Sequence, residues 1–183
     1  MKVVAIVQAR MGSTRLPNKI MKLIENIPMI EILLKRLSKS KKIDQIVVAT
    51  STNFANLPLI KHVENLGFNC IQGSENDVLG RYIYAAEESQ AEIVVRITGD
   101  CPLIDPALVD ECIKSFLDKK VDYLCNTNPP SFPDGLDISV FSIKALKQAA
   151  KKTINKYDRE HVVPYIINSG EFNLGLLKNE QDL

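Results

Sequence analysis

In AIVQARMGSTRLPNK, residues 5–19, an apolar run gives way at once to Arg10, Gly12, Ser13, Thr14, Arg15 and Lys19. Arginine and lysine bury badly without partners, so the segment either sits in solvent or faces an anion. The residue types favour phosphate. A glycine lets backbone N–H groups come close to phosphate oxygens, and the Ser13 and Thr14 hydroxyls add donors. Arg10, Arg15 and Lys19 supply charge, forked in the arginines and compact in the lysine. The spacing is not that of a GxxxxGK[ST] loop, because Lys19 follows Asn18 rather than glycine. The plainer alternative is a solvated loop with Arg15 paired to a local carboxylate.

A second stretch, RITGDCPLIDP, residues 96–106, offers the opposite charge. Asp100 follows an apolar strand and a glycine suited to close approach. A single carboxylate there suits Mg²⁺, which binds few carboxylates and keeps phosphate oxygens and water as its other ligands. Asp105, just before Pro106, fits the competing role of helix cap better than Asp100 does.

These residues need a frame, and the hydropathy pattern provides one. VVAIV, IDQIVVATS, FNCIQG and EIVVRITGD read as buried strands. Between them PMIEILLKRLSKS, LPLIKHVENLG and NDVLGRYIYAAEES carry helical spacing, with Gly67 at a left-handed cap and Asn76 or Asp77 at a start. DPALVDECIKSFL follows as a helix. The alternation predicts a mostly parallel α/β sheet with right-handed crossovers. After VDYLCNT comes a proline-rich loop and then LDISVFS, a strand for a mixed or edge position. IKALKQAAKK, the helix-like YDREHVVPYIIN and a last strand FNLGLL complete a single domain. In such sheets ligands bind beyond the carboxyl ends of the strands. There the polar residues gather: Arg10 to Lys19, then Thr50 and Ser51, then Gly73 and Ser74, then Thr98, Gly99 and Asp100.

Bulk properties narrow the choice. The 183 residues are 45% apolar, enough for one core, and 23 Lys and Arg against 22 Asp and Glu exclude wholesale electrostatic binding to nucleic acid or membrane. Residues 10–42 hold nine of the cations against Glu25 and Glu31, but KRLSKSKK there reads as a solvated helix end. Cys70, Cys101, Cys112 and Cys125 form no CxxC pair and read as incidental thiols of a reducing compartment. The short N-terminal apolar run, broken at Gln8 and Arg10, is no signal peptide, and no segment approaches a membrane span; the expectation is a cytoplasmic protein.

ARMGSTRLPNK, GSENDVLGRY, RITGDCPLIDP, PDGLDISVFS and REHVVPYI occur in that order along the chain. Together they resemble the cytidylyltransferase family that includes CMP-Kdo and CMP-sialic acid synthetases, and within it the SpsF-like branch named for spore coat polysaccharide biosynthesis. The resemblance implies a Rossmann-like three-layer α/β/α sandwich of the nucleotide-diphospho-sugar transferase type. It implies Mg²⁺-dependent transfer of CMP from CTP to an acidic sugar, 2-keto-3-deoxy or sialic-like, with release of pyrophosphate. Arg10, Arg15 and Lys19 match the positions that grip the triphosphate, with Gly12 and Ser13 between them, and Asp100 matches the metal-binding aspartate. The Ala9 backbone, Thr50, Ser51, Gly73 and Ser74 would line the base pocket. Asp77 and Arg81 would close it, or serve as cap and surface ion pair. For the sugar the resemblance points to Arg96, Asn126, Asn128, Asp134, Asp137, Arg159 and His161; a lone helical histidine is as readily a packing residue. A homodimer is implied too, with LDISVFS available to it.

Two departures bear on activity. Thr98 stands where the Kdo- and sialate-activating enzymes commonly carry a glutamine that touches the sugar. SpsF-like relatives also continue into a strand and helix with a TVDxPED-type motif bearing a second metal aspartate, which the sequence to Leu183 does not supply. The expectation is one nucleotidyltransferase domain over residues 1–183 lacking that segment. Beside the enzyme stand two alternatives: an impaired nucleotide-sugar binding module, and a transferase using GTP or UTP.

Overall fold

The computed structural model describes residues 1–13 and 16–180. The chain runs β1 (Val3–Gln8), β2 (Leu23–Ile24), β3 (Ile27–Pro28), α1 (Met29–Leu37), β4 (Gln45–Ser51), α2 (Leu57–Asn65), β5 (Asn69–Gly73), α3 (Val78–Glu88) and β6 (Ile93–Thr98). It continues with α4 (Pro106–Lys119), β7 (Tyr123–Cys125), β8 (Ser139–Ser142), α5 (Ile143–Lys152), α6 (Lys156–His161), α7 (Pro164–Asn168) and β9 (Leu174–Leu176). Apart from the small β2–β3 hairpin, the strands form a seven-stranded sheet of order β5-β4-β1-β6-β8-β7-β9.

β1 pairs in parallel with β4 on one side and β6 on the other, and β4 in turn with β5. β8 runs antiparallel between β6 and β7, and β9 returns parallel to β7. The chain therefore winds one way from β1 through β4 to β5, then crosses back to lay β6 on the other side of β1. That reversal is the topological switch point at which open α/β sheets form their crevice.

Continuous apolar strands are dictated by burial on both faces, and both faces are covered. Val3, Ala5 and Val7 pack with Leu33 and Leu37 of α1, Leu59 of α2 and Val109 of α4, while Val4 and Ile6 pack with Leu79 and Tyr82 of α3 and Leu146 of α5. The period of two in β1 thus splits its side chains between two cores. Gly67 ends α2 at φ +83°, as the sequence predicts, and Asp105 caps α4 by accepting from Ala107 N at 2.7 Å and Leu108 N at 3.3 Å. Among the described residues no helix is long and apolar enough to cross a membrane.

Three local features add to or correct the reading of the sequence. The 22–28 segment pairs as β2–β3 through Glu25 (φ 50°) and Asn26 (φ 64°), a two-residue turn made without glycine and so not read from the sequence. YDREHVVPYIIN is two helices, not one: Val162 turns to φ 75° with its side chain fully buried, and Pro164 starts α7. Of the mixed or edge position open to LDISVFS the structure takes the first, with β8 antiparallel between β6 and β7 inside a mixed sheet.

Candidate functional site

The loops that leave β1 and β6 enclose a cavity of about 780 Å³. Gln8, Ala9, Arg10, Gly12 and Ser13 line it from β1, with Lys19 and Ile20 from the following turn. Thr98, Gly99 and Asp100 come from β6; Glu75, Asn76, Asp77 and Val78 from the start of α3; and Lys156, Arg159, Glu160 and His161 from α6.

Gly99 makes the approach of the first two loops possible. A Cβ there would lie 2.9 Å from both Ala9 Cβ and Gln8 O, and the Gly99 amide donates to Gln8 O at 2.8 Å. Gly12 is different: a Cβ would meet only Glu75 Oε1 at 3.8 Å, so the fold itself does not require glycine there. The turn that carries Lys19 is anchored by buried Ile20 and begins at Asn18 in the left-handed region, φ 57°. Asn18 N and Ser13 N both donate to Met11 O. Met11 N is held in turn by Asn56 Oδ1 at 2.8 Å, while Asn56 Nδ2 donates to Ser51 Oγ and Ser51 O. Buried Asn56 thus ties the first loop to the end of β4 across 45 positions of sequence, a role that no local pattern announces.

Across the cavity floor Lys19 Nζ donates to Asp100 Oδ2 at 2.7 Å. Burial alone would raise the Asp100 pKa, but hydrogen bonds from Lys19 and Thr98 and the lysine charge outweigh it and hold the carboxyl below its ordinary range. Asp137, just before β8, goes the other way: burial first, then the charges of Asp134 and Asp100, push it up, with Arg96 offsetting part. Among the described residues no three His, Cys, Asp or Glu side chains stand together to hold a metal. One ionised carboxylate lining the cavity does fit a Mg²⁺ whose other ligands are phosphate oxygens and water.

Arg159 bridges the two walls, Nη2 donating to Asp77 Oδ2 at 2.6 Å. Asp77 also caps α3 by accepting from Gly80 N at 2.9 Å. Burial pushes its pKa up, and the Arg159 hydrogen bond, the Gly80 amide and the arginine charges more than reverse that. Because its folded pKa is depressed, the stability it contributes is present above the ordinary carboxylate value and lost as pH falls through the lowered one. Asp77→Ala is expected to cost about 1–2 kcal/mol at neutral pH through the lost cap. In urea melts the gap between variant and wild type should narrow below a pH of about 4.

Lys19, Asp100, Ala9, Arg10, Gly12, Ser13, Asp77, Arg159 and His161 therefore come together as the sequence suggests, while Arg15 lies outside the described residues. Others do not reach the cavity surface. Thr50 and Ser51 are fully buried beneath the rim, Ser51 engaged by Asn56. Gly73 and Ser74 pack against Arg81: a Cβ on Gly73 would sit 2.9 Å from Arg81 Cγ, and Arg81 Nη1 donates to Ser74 O at 2.8 Å. Arg81 is no surface ion pair, being 1% exposed, with Nε and Nη2 unpartnered and its pKa lowered by burial. Asn126 spends its amide on Leu136 O and Ile138 N, which corrects its assignment to the sugar: it clamps the chain ahead of β8. Asn128 and Asp134 also lie outside the lining, as does Arg96, whose Nε is buried without a partner. Conversely Glu75, Lys156 and Glu160 line the site without having been singled out in the sequence. The cysteines are unpaired; Cys70 and Cys112 have thiol pKa values raised to about 12 by burial first and by neighbouring acids, and are inert.

Comparison with known proteins agrees with this geometry. The Bacillus subtilis spore coat polysaccharide biosynthesis protein SpsF is 34% identical over 170 residues, covering 87% of this chain and 71% of that protein. A cytidylyltransferase from Leptospira borgpetersenii superposes with a TM-score of 0.95 at 36% identity, over 100% of this chain and 78% of that one. A CMP:2-keto-3-deoxy-manno-octonic acid synthetase solved with CTP shares the fold, with a TM-score of 0.75 at 17% identity over 98% and 91% of the two chains. The family profile described as cytidylyltransferase matches residues 4–177, nearly the whole of the sheet and both walls of the cavity, and the chain belongs to that family.

Proposed function

We propose that this chain transfers CMP from CTP to an acidic sugar of the 2-keto-3-deoxy or sialic type, releasing pyrophosphate, in a Mg²⁺-dependent reaction. The observation that carries the reading is Lys19 facing Asp100 at 2.7 Å across the mouth of the β1/β6 switch point. A cation and an ionised carboxylate meeting there, beside the Arg10–Ser13 amides, is the arrangement a metal-bearing triphosphate needs. That one fold relative was solved with CTP, and that the family is named for cytidylyl transfer, supports CTP as the donor.

The residues divide the work. Arg10 and the Gly12–Ser13 segment hold the phosphates, and Lys19 leaves Asp100 for the triphosphate when substrate enters. Asp100 would hold Mg²⁺, which would supply Lewis-acid polarisation of the α-phosphate. The acceptor hydroxyl attacks the α-phosphorus in line, its proton passing to water, and the new P–O bond forms as the bond to pyrophosphate breaks; Lys19 meets the charge that gathers on the leaving group. Ala9 faces the base, and Asp77 with Arg159 closes the cavity above it. Of the residues assigned to the acceptor, His161 and Arg159 line the cavity and are read as its contacts. The setting we read is the cytoplasm, in surface polysaccharide or spore coat biosynthesis, with a homodimer as the working unit.

Thermal shift with CTP, GTP, UTP and ATP in the presence of Mg²⁺ tests the nucleotide. CTP at a hundred times its dissociation constant should stabilise the fold by about 2.7 kcal/mol, and the others by clearly less. Pyrophosphate release with CTP and 3-deoxy-manno-octulosonate or N-acetylneuraminate then tests the reaction. A larger shift with GTP or UTP overturns the donor assignment; CTP binding with no turnover on any acid overturns the transferase reading in favour of a binding module.

A further inference from the structure

Two buried polar atoms on neighbouring strands have no hydrogen-bond partner, one on a cavity-lining residue and one on a residue outside the lining. Gln8 closes β1 and lines the cavity, yet its amide oxygen Oε1 is shut from solvent and accepts no hydrogen bond. Arg96 stands on the adjacent strand β6, with Nε equally enclosed and donating to nothing. The parallel register places Gln8 opposite Thr98 and Ile6 opposite Arg96. Side chains alternate along a strand, so Gln8, Thr98 and Arg96 all share the face of Ile6, on which α3 packs. Buried polar atoms without partners are few in folded proteins, and those beside a ligand cavity point to a ligand.

The two atoms also say what kind of ligand. Oε1 is an acceptor and can be satisfied only by a donor; phosphate and carboxylate oxygens bring none. Arg96 Nε is a donor and needs an oxygen. The Thr98 hydroxyl contacts Cys101 Sγ at 3.1 Å and bonds neither Gln8 Oε1 nor Arg96 Nε. The cytosine amine is a donor as well, and the CTP KM of a Gln8 variant separates it from a hydroxyl of the acceptor. A hydroxyl of a ligand in the cavity supplies the donor that Oε1 lacks.

We propose that Gln8 is a specificity-determining residue of the acceptor pocket: its Oε1 accepts a hydrogen bond from a hydroxyl of a polyhydroxylated acid bound in the cavity. This rests on the acidic-sugar reading and adds a residue that reads the sugar's hydroxyl pattern rather than its charge. Such a site rejects an analogue lacking the hydroxyl, because the buried oxygen is then left unpaired.

The test uses the full chain with CTP in a non-hydrolysable form, Mg²⁺, and 3-deoxy-manno-octulosonate, N-acetylneuraminate or neutral mannose as probes. In ¹⁵N-labelled protein the Gln8 side-chain amide, assigned by its loss in Gln8→Leu, should shift on adding an acid probe and stay still with mannose. In pyrophosphate release with CTP, Gln8→Leu should raise the acceptor KM about ten- to a hundredfold with the CTP KM within about threefold of wild type. Should Gln8→Leu fold poorly, Gln8→Asn and the wild-type amide shift still decide. An acid probe that binds wild type without moving the Gln8 amide, or an unchanged acceptor KM in the variants, overturns the role of Gln8 alone. An acid probe that neither binds nor reacts with wild type overturns the acidic-sugar reading, and the Gln8 proposal falls with it.

Discussion

Asp100→Asn should lower cytidylyl transfer by about a thousandfold while leaving the fold almost untouched. Asparagine keeps the shape and the hydrogen-bonding oxygen but removes the charge, and charge is what both Lys19 and Mg²⁺ require of this position. Losing a group that stabilises charge in the transition state costs about 3–4 kcal/mol, two to three orders of magnitude in rate. The loss of a metal ligand adds to it. The structural cost is small, because the Lys19–Asp100 pair is 30% and 45% exposed and pairs of that kind contribute about 1 kcal/mol or less.

The readouts separate these effects. Pyrophosphate release should collapse, the urea midpoint should hold, and the Mg²⁺-dependent part of the CTP thermal shift should disappear while a metal-independent part remains. A variant that keeps more than about a tenth of wild-type turnover, or that needs no more Mg²⁺ than wild type, removes Asp100 from the site. The pair would then be a surface salt bridge and nothing more.

The elements that carry Lys19 and Asp100 could be read from the chain because each is encoded locally. Four apolar runs, a glycine after α2 and an aspartate–proline start to α4 are short-range signals, and their alternation leaves few topologies. The strand ends then put Arg10, Lys19 and Asp100 on one rim. How deep each strand end lies was not legible. Thr50 and Ser51 follow the same pattern as Thr98 and Gly99, yet they are fully buried, because α2 and the Asn53–Asn56 turn fold over them. Asn126 was pointed to by the resemblance alone; only the antiparallel return of β8 shows that its amide is already spent on Leu136 O and Ile138 N. Lys156 and Glu160 were missed for a related reason. α6 reaches the cavity through Arg159 and Asp77, 82 positions apart, and a contact at that range leaves no periodic trace. Gln8, by contrast, was visible as the residue that interrupts an apolar strand. Its meaning appeared only when the register set it beside Thr98.

Lys19→Ala tests the opposite wall and should cost about a hundredfold in turnover, or about 3 kcal/mol of barrier. Alanine removes the ammonium and leaves the turn intact, since the turn is held by buried Ile20 and by the Met11 carbonyl rather than by the lysine. The drop should appear in kcat as well as in the CTP KM, because the charge Lys19 meets is greater on the departing pyrophosphate than on bound CTP. Lys19→Arg, which restores charge with a broader and differently placed head, should recover part of the KM and less of the kcat. The double variant with Asp100→Asn should be no slower than the slower single one within about threefold, since groups that act on the same phosphates lose their effects together. Fully multiplicative losses, near a hundred thousandfold by the estimates above, would mean that the two residues act on separate steps. A Lys19→Ala enzyme with wild-type kcat and only a raised CTP KM would confine the lysine to ground-state binding, leaving the leaving-group charge to Arg10 and the metal.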